Sequence, residues 1–316
     1  MRRVALLYNP NSGQHFTGHR AIIERVVDAL SAAGVESQEF RTTLSVGAET
    51  LARQAVSEGF DTVFACGGDG TVHDTLQGLA GTNTPLGVIP LGTANALASN
   101  LGLRGSPESI VTKLLRAIPT RVPVGCILFD ADDGVRHTKY FIVAAGAGAD
   151  ALLLSRLDVR LKRKLGYLLY LFEGVRVWAS FGFPLFECEC VDSATGDRRL
   201  LQASQLLAVR IRDFGGVLHR MAPGATVHGN DLCLVAFKTR RRLAYFRFMI
   251  SVMLGRQTFS GSVELLNAKS VKCRPLNGSS NLTLVEADGE VLGRLPVELK
   301  IAQDALTLLI PSGAQP

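Results

Sequence analysis

The chain lacks the long apolar run that a membrane-spanning helix requires. None of its 316 residues lies in an uninterrupted apolar stretch of about 18 residues or more. The N-terminus carries charges and a few apolar residues, but the polar run Asn9-Pro10-Asn11 follows too early for the core of a signal peptide. We therefore expect no transmembrane helix, and we expect the N-terminus to form a first strand.

Cysteine and histidine are sparse, and neither has the spacing of a metal site. Only Cys188 and Cys190 are close in sequence among the 6 cysteines, and we assign this pair to opposite faces of a strand, which argues against joint ligation of one metal. We interpret the cysteines as reduced, buried thiols of a cytoplasmic protein. The sequence also contains no repeats or low-complexity segments.

The formal net charge of +6 favours anionic partners. Nucleic acid and an anionic membrane both fit this charge at the level of composition. A charge that only aids solubility fits equally well.

The first third of the chain alternates strand-like and helix-like segments. This order predicts a parallel sheet with helices on both faces, in a first domain that spans residues 1–122. The expected strands lie near 3–8, 35–41, 61–66 and 86–90, and the expected helices near 18–33, 47–58, 71–80 and 106–117.

Beyond about residue 120 the pattern changes to short apolar runs separated by Gly, Pro, Asn and Asp. It predicts a second, mostly antiparallel β domain over residues 123–316, with helices at 150–179 and 240–254. The apolar tail at 306–311 is compatible with a last strand that returns to the first domain. The expected strands are 122–129, 139–145, 183–191, 200–211, 232–237, 263–268, 281–286 and 296–302.

The most informative motif is Cys66-Gly67-Gly68-Asp69-Gly70-Thr71, between a predicted strand and a predicted helix. Glycines at such a turn let the backbone approach a ligand and direct N–H groups at an anion. A carboxylate there repels a phosphate unless it faces a metal ion or takes a proton from an attacking hydroxyl. The motif therefore indicates phosphoryl transfer, although a tight turn alone is the simpler alternative.

Polar turns also follow the other strands of the predicted sheet. They are Asn9 to Gly13, Thr42-Thr43 and Pro90 to Asn95, and carboxyl ends of parallel strands are where such sheets bind ligands. Hydroxyls in these turns can donate to phosphate or purine, and the glycines make space for them. The hydroxyls are those of Ser12, Thr43, Thr71 and Thr93, and the glycines are Gly13, Gly67, Gly68 and Gly92.

Two glycine patterns are set aside. Gly13 to Gly18 has the P-loop spacing, but His19-Arg20 stands where Lys-Ser/Thr is required. Gly146 to Ala151 fits the looser dinucleotide pattern without its βαβ unit, and we interpret it as a packing turn.

An acidic turn, Glu286-Ala287-Asp288-Gly289-Glu290, stands out in the second domain. It is either the tip of a hairpin or a site for a metal ion or general base, because Mg²⁺ takes oxygen ligands and an acceptor hydroxyl needs a base.

Basic residues adjoin apolar stretches in both predicted helices of the second domain. They indicate either the charged face of a surface helix or a surface that holds the protein on anionic lipid. They are Arg156, Arg160, Lys162, Arg163, Lys164, Arg240, Arg241, Arg242 and Arg247.

Taken in order, these motifs resemble the diacylglycerol kinase catalytic-domain superfamily, which includes bacterial soluble lipid kinases and sphingosine kinases. Asn9 to Gly13, Gly67 to Thr71 and Pro90 to Ala98 resemble its nucleotide loops, and Asp288-Gly289-Glu290 resembles a later block. Gly146 to Ala151 resembles the family's Gly-x-Gly-x-Asp-Ala turn.

The resemblance implies an α/β domain shared in fold with NAD kinases and phosphofructokinases, a C-terminal β-sandwich that receives lipid, and ATP in the cleft between them. It implies Glu290 and Asp288 as catalytic and Mg²⁺-binding residues, with Asp69 as a metal-linked group or alternative base. Which carboxylate takes the proton stays open. The implied nucleotide-binding residues are Asn9, Pro10, Asn11, Ser12, Gly13, Thr43, Gly67, Gly68, Asp69, Gly70, Thr71, Gly92, Thr93 and Asn95.

Two departures from the family pattern matter. Ala96 stands where many members have Asp, which resembles the sphingosine kinase version and leaves the acceptor open between diacylglycerol, a sphingoid base and another lipid. His228-Gly229-Asn230 replaces an Asp-Asp-Gly turn that holds a structural magnesium in some bacterial members, so we expect that metal site to be lost.

The leading hypothesis is an ATP- and magnesium-dependent lipid kinase, located in the cytoplasm and peripheral on the inner face of the membrane. We expect lipid and anionic membrane as partners, expect no nucleic acid, and leave a homodimer open. The alternatives are an NAD kinase-like kinase of a small soluble acceptor and a non-catalytic, nucleotide-sensing membrane protein.

Overall fold

The chain folds into two compact units, one of residues 1–123 with 303–316 and the other of residues 124–302. The computed structural model describes residues 1–10, 16–43, 45–130, 134–156, 167–214, 221–254, 261–276 and 283–314. Among these residues, no helix has the length and apolar character needed to cross a membrane.

The first unit is a parallel α/β domain, as the alternation predicts. Its strands pair side by side in the order β2-β1-β3-β4, all parallel, and the end of β15 joins β4 through Leu308 and Leu86. The strands are β1 (Arg3–Tyr8), β2 (Glu36–Arg41), β3 (Thr62–Gly67) and β4 (Leu86–Pro90), and β15 spans Val297–Ile310.

The helices of this unit follow the predicted segments closely. They are α1 (Phe16–Ala32), α2 (Ala48–Ser57), α3 (Asp69–Leu79), α4 (Ala96–Asn100) and α5 (Pro107–Leu115). The short α4 was not predicted from the sequence, since five residues give too little periodicity to recognise. Helix α5 begins after Ser106, whose side chain accepts a hydrogen bond from the Ser109 N–H, with Pro107 in the first turn.

The second unit is an antiparallel β-sandwich with three described helices, as the sequence also predicts. Its main sheet has the order β14-β13-β7-β10-β11-β12-β15, with β8 and β9 continuing from β12 and with β5 paired to β6. The strands are β5 (Ile118–Asp130), which begins in the first unit, β6 (Arg136–Phe141), β7 (Ala144–Ala147), β8 (Phe186–Asp192), β9 (Arg198–Ala203), β10 (Gln205–Val209), β11 (Leu232–Phe237), β12 (Val263–Pro275), β13 (Leu284–Ala287) and β14 (Glu290–Arg294).

Some predicted elements of this unit differ from the structure. The expected strand at 139–145 is broken into β6 and β7, and the one at 200–211 into β9 and β10 around the buried Ser204. The two runs at 296–302 and 306–311 form the single strand β15. The helical region at 150–179 contains α6 (Ala149–Arg156) and α7 (Tyr167–Ser180), and the one at 240–254 forms α8 (Arg242–Met253).

Alternating residues of the strands supply two separate cores. Leu206 and Leu234 face the interior of the sandwich, whereas Leu207 and Val235 pack with α8 on the opposite face of the same strands. The sequence pattern of β10 and β11 is therefore almost continuously apolar, because both faces are covered.

All 6 cysteines are buried free thiols, as expected. The assignment of Cys188 and Cys190 to opposite faces is wrong, because side chains two apart on a strand point the same way. Both pack in the sandwich interior beside Cys273, whose sulfur lies 3.7 Å from that of Cys188. The hydrogen bond with Cys273 and burial raise the pKa of Cys188, so the Cys188 thiol stays protonated at neutral pH.

Candidate active site

The turn from β3 to α3 is built so that only glycine fits at its first position. A Cβ on Gly67 would lie 2.3 Å from the Thr71 hydroxyl and 2.5 Å from the Thr71 Cβ. Gly68 then precedes α3 with extended backbone. The first N–H groups of α3, from Asp69 onward, have no partner within the helix and carry the positive end of its dipole. The turn is therefore suited to bind an anion such as phosphate.

The side chain of Asn95 closes the loop after β4. Asn95, in left-handed backbone with φ 49°, accepts a hydrogen bond from Gly92 N at 2.9 Å and donates one to Gly92 O at 2.7 Å. Gly92 and Thr93 are exposed. Both Asn95 contacts lie within the loop, so this predicted nucleotide-binding residue shapes the loop.

The two glycine loops pack against each other through their backbones. A Cβ on Gly92 would lie 2.6 Å from the Gly68 Cα, and Leu91 N donates to Gly67 O at 2.9 Å. One carboxylate oxygen of Asp69 accepts from Ala96 N at 2.7 Å, at the start of α4. Asp69 therefore connects the glycine turn to the second loop, and the two loops form one structural element.

The remaining predicted nucleotide residues lie at neighbouring strand ends. Asn9 and Pro10 follow β1 and are half-buried, whereas Asn11, Ser12 and Gly13 lie outside the described residues. Thr43 follows β2, and its hydroxyl accepts from Val46 N at 3.1 Å. The structure thus brings strand-end turns 9–10, 42–43, 67–71 and 90–95 to one edge of the parallel sheet.

A polar group at this edge was missed in the sequence. The Tyr8 hydroxyl donates to Glu39 Oε2 at 2.8 Å, and Arg41 Nη2 donates to the same oxygen at 2.8 Å. Burial alone would raise the pKa of Glu39, but these two hydrogen bonds outweigh it and lower the pKa. Burial also raises the pKa of Tyr8. The polar sequence of β2 was the available signal, but it does not reveal that β1 supplies a partner.

In the second unit, Asp288 joins β13 to β14 and clamps a break between two other strands. Its Oδ1 accepts from Val143 N at 2.8 Å and Ala144 N at 3.0 Å, and its Oδ2 accepts from Ile142 N at 2.9 Å. Asp288 N also donates to Ala144 O at 2.8 Å. Such contacts explain why the predicted strand at 139–145 is interrupted: its N–H groups bind a side chain at that point.

The other acids of this turn differ in exposure. Glu286 is buried and accepts from Gly289 N at 2.9 Å, whereas Glu290 is exposed. Asp288 has φ 48° and Gly289 φ 90°, so two successive residues adopt left-handed backbone. Two acids thus build the turn that presents Glu290. Among the described residues, no three His, Cys, Asp or Glu side chains are grouped to hold a metal ion.

Asp150 is a half-buried acid with a buried carboxylate, and sequence reasoning assigned its turn to packing. Neither of its carboxylate oxygens, both buried, has a hydrogen-bond partner in the described part of the chain, and a Cβ on Gly146 would lie 2.2 Å from one of them. Burial raises the pKa of Asp150 to about 6, against a smaller opposing effect of the Ala151 and Asp150 amides. The Gly-x-Gly-x-Asp spacing was the available signal, since it places a small residue against the carboxylate.

The buried Arg210 binds the turn at residues 228–230, where the sequence predicts the loss of a metal site. Arg210 Nη1 donates to Gly229 O at 2.6 Å and Asp231 O at 2.8 Å, and Nη2 donates to Val227 O at 2.9 Å. Burial lowers the pKa of Arg210 to about 10, so it stays charged at neutral pH. A side-chain cation therefore binds the carbonyl groups on both sides of His228.

Comparison with known proteins places the chain in a family. The model of the diacylglycerol kinase catalytic domain matches residues 3–127, and that of the YegS C-terminal NAD kinase β-sandwich-like domain matches residues 142–310. The chain belongs to the diacylglycerol kinase family. It is a lipid kinase, a class of transferase that uses a nucleotide as phosphoryl donor.

Relatives match over almost the whole chain. A diacylglycerol kinase of Bacillus subtilis is 30% identical over 302 residues, covering 94% of this chain and 93% of the relative. One of Mycobacterium tuberculosis is 28% identical over 322 residues, covering 98% and 95%.

Solved structures show the same fold. A diacylglycerol kinase of Bacillus anthracis matches with a TM-score of 0.70 and 18% identity, over 99% of this chain and 98% of that one. Yeast NADH kinase in complex with NADH matches with a TM-score of 0.53 and 11% identity, over 98% and 84%. The expected NAD kinase-like fold is confirmed.

Proposed function

We propose that this lipid kinase transfers the γ-phosphate of ATP to a hydroxyl of a membrane lipid, with diacylglycerol as its acceptor. The observation that carries the proposal is the coupled pair of glycine loops, in which Asp69 connects the N-terminus of α3 to the start of α4. The sequence identity with bacterial diacylglycerol kinases supports diacylglycerol as the acceptor.

The backbone of the glycine turn would bind the nucleotide phosphates. Gly67 and Gly68 leave no side chain in the way, and the first N–H groups of α3 supply donors and a positive dipole. Phosphoryl transfer depends chiefly on such positioning and on charge stabilisation.

Glu290 would act as the general base toward the acceptor hydroxyl. It is the exposed acid of its turn, whereas the Asp288 oxygens accept three backbone N–H groups that hold residues 142–144. We therefore assign Asp288 a positioning role. A general base contributes roughly 10² to 10⁴ in rate.

Asp69 would be the metal-linked carboxylate. Mg²⁺ needs only one or two protein carboxylates when it is bound with nucleotide phosphates, and Asp69 supplies one in the first turn of α3. When bound, Mg²⁺ supplies charge neutralisation on the transferred phosphoryl group.

The test is incubation of the full chain with labelled ATP, Mg²⁺ and a panel of acceptors that includes diacylglycerol, sphingosine and NAD. We expect phosphorylated diacylglycerol. ATP binding with no lipid product would favour the non-catalytic alternative, and a phosphorylated soluble acceptor would favour the NAD kinase-like one.

Two variants separate catalysis from folding. Glu290→Gln is expected to lower kcat by about 10² to 10⁴ with the KM for ATP and the melting temperature unchanged. The matched control is Asp197→Asn, which neutralises another exposed acid of the same unit and should keep full activity. Full activity of Glu290→Gln would reject Glu290 as the base.

A further inference from the structure

Helix α8 has an apolar surface that faces away from the protein. Leu243, Phe246 and Ile250 are 64%, 52% and 39% exposed, and Leu254, directly after the helix, is 69% exposed. At 100° per residue these four side chains lie within an arc of about 80°. Large apolar residues grouped in this way indicate an interaction surface rather than the scattered exposure that is normal.

Helix α7 extends this surface. Val175 is 63% and Trp178 38% exposed, and the Trp178 ring centre lies 6.2 Å from that of Phe246. The indole N–H donates to Arg242 O at 3.0 Å, and Arg242 Nη2 donates to Phe181 O at 3.3 Å. These bonds fix the two helices together. We define the α7–α8 patch as Val175, Trp178, Leu243, Phe246, Ile250 and Leu254.

The fold does not need the patch for its own core. The opposite side of α8 carries Tyr245, Phe248 and Val252, all buried. Tyr245 stacks on Phe237 of β11 with 4.3 Å between ring centres and 10° between planes. Helix α8 is therefore anchored by one apolar face while a second apolar face remains exposed.

The charge on the α8 side of the patch has one sign, whereas α7 carries Glu173 paired with Arg176. Arg240, Arg241 and Arg247 are exposed, and residues 239–254 contain no Asp or Glu. An apolar surface with arginines and an amphipathic tryptophan fits the interface of a bilayer that contains anionic lipid. A symmetric dimer through this patch would instead bring the arginines of two copies together, which is unfavourable.

We propose that the α7–α8 patch docks on the surface of an anionic bilayer, with its apolar side chains among the acyl chains and its arginines at lipid phosphates. This inference rests on the proposed function, since a membrane-lipid acceptor requires the kinase to reach the bilayer. The assignment as a lipid kinase does not by itself define a docking surface, and the α7–α8 patch is the one proposed.

The experiment is sedimentation of the full chain with phosphatidylcholine vesicles, with and without phosphatidylglycerol. Neither nucleotide nor acceptor lipid is present. We expect binding to the anionic vesicles that weakens as salt is raised. Phe246→Ser with Ile250→Ser should lower the partition coefficient at least about tenfold. Replacement of three arginines by Gln should lower the partition coefficient on anionic vesicles about 100-fold. The three are Arg240, Arg241 and Arg247.

Control variants remove one exposed apolar residue, or three exposed charges, elsewhere on the second unit. Leu200→Ser changes a 64% exposed leucine of β9, and Lys269→Gln, Lys272→Gln and Arg274→Gln together remove three exposed charges of β12. Both controls should bind like the wild type. Wild-type binding by the patch variants, or equal loss in the controls, would overturn the proposal.

Sedimentation velocity distinguishes lipid from a second copy of the chain. A dimer that dissociates in the Phe246→Ser, Ile250→Ser variant would assign the patch to self-association and reject the lipid proposal. Kinase activity is measured separately on a short-chain diacylglycerol below its micellar concentration. Activity on short-chain diacylglycerol without vesicle binding would reject the docking proposal and keep the proposed function. Vesicle binding without this activity would support the docking proposal and reject the proposed function.

Discussion

One carboxylate oxygen of Asp69 lies 2.7 Å from the backbone nitrogen of Ala96 and accepts its hydrogen bond. This contact joins the start of α3 to the start of α4, although 27 residues separate the partners in sequence. The residue that first suggested phosphoryl chemistry is therefore also part of the framework of the site. The two roles can be separated by substitution.

Asp69→Asn and Asp69→Ala should have different effects. The amide oxygen of Asn can still accept from Ala96 N, so we expect stability within about 1 kcal/mol of the wild type but a loss of at least about 100-fold in kcat. Ala removes the acceptor as well, and unfolding should cost about 1–3 kcal/mol less. Urea unfolding and turnover measure the two effects. Wild-type turnover in Asp69→Asn would show that the charge is dispensable.

The glycines of the α3 turn should differ in their tolerance of alanine. Gly67→Ala places a Cβ 2.3 Å from the Thr71 hydroxyl and should destabilise the fold by about 1–3 kcal/mol. Gly70→Ala is the matched control, because nothing lies within 4 Å of its Cβ and alanine is the better helix former by about 1 kcal/mol. Thermal unfolding of both variants checks this. Equal stability of the two would contradict the close packing at Gly67.

Loss of the Arg210 guanidinium should weaken the second unit. Arg210→Met leaves the carbonyls of Val227, Gly229 and Asp231 without this donor, and we expect at least about 3 kcal/mol of lost stability. Arg274→Met, at an exposed position of β12, should stay within about 0.5 kcal/mol. Because we expect the structural metal site at this turn to be lost, EDTA should leave the urea midpoint of the nucleotide-free wild type unchanged. A fall in that midpoint would show that a metal supports the fold.

The buried carboxylate of Asp150 should make stability depend on pH between about 4 and 6. Its pKa is about 6 in the folded protein and about 3.9 in an unfolded chain, so folding favours the protonated form. The stabilisation is fully present below about pH 4 and is lost as pH rises through about 6, a change of about 3 kcal/mol. Asp150→Asn removes this titration.

The difference in unfolding free energy between Asp150→Asn and the wild type should therefore shift by about 3 kcal/mol in favour of the variant from pH 4 to pH 8. Urea unfolding across this range provides the measurement. A difference that does not vary with pH would mean that Asp150 is ionised throughout.

The sequence predicted the elements whose signals are local. The first four strands and the glycine turn at Gly67 could be recognised because apolar runs, glycines and polar strand ends lie next to each other in the chain. The order of turns along a parallel sheet then predicted that they meet at one edge. The break between β6 and β7 was not predictable in this way, because the Asp288 carboxylate that causes it lies 146 residues from Ile142.

Burial is the other property that the sequence did not supply. Glu286 and Glu290 look alike in the acidic turn, yet one is buried against Gly289 N and the other is exposed. Likewise, Asp150 becomes unusual only because tertiary packing removes water from its carboxylate. Periodicity also does not distinguish the exposed apolar face of α8 from its buried one, since both carry large apolar residues.

The different roles of Asp288 and Glu290 in the acidic turn also have an evolutionary consequence. The Asp288 carboxylate accepts three backbone hydrogen bonds, and the positive φ of Gly289 favours glycine. The fold therefore needs both residues, whether or not the protein turns over substrate. Glu290, the exposed acid of the same turn, is the residue proposed here as the general base. A descendant that lost catalysis but kept its fold would be expected to retain Asp-Gly and to drift at the next residue. The residue after Asp-Gly, rather than the motif as a whole, is then the position by which active and inactive members should be told apart.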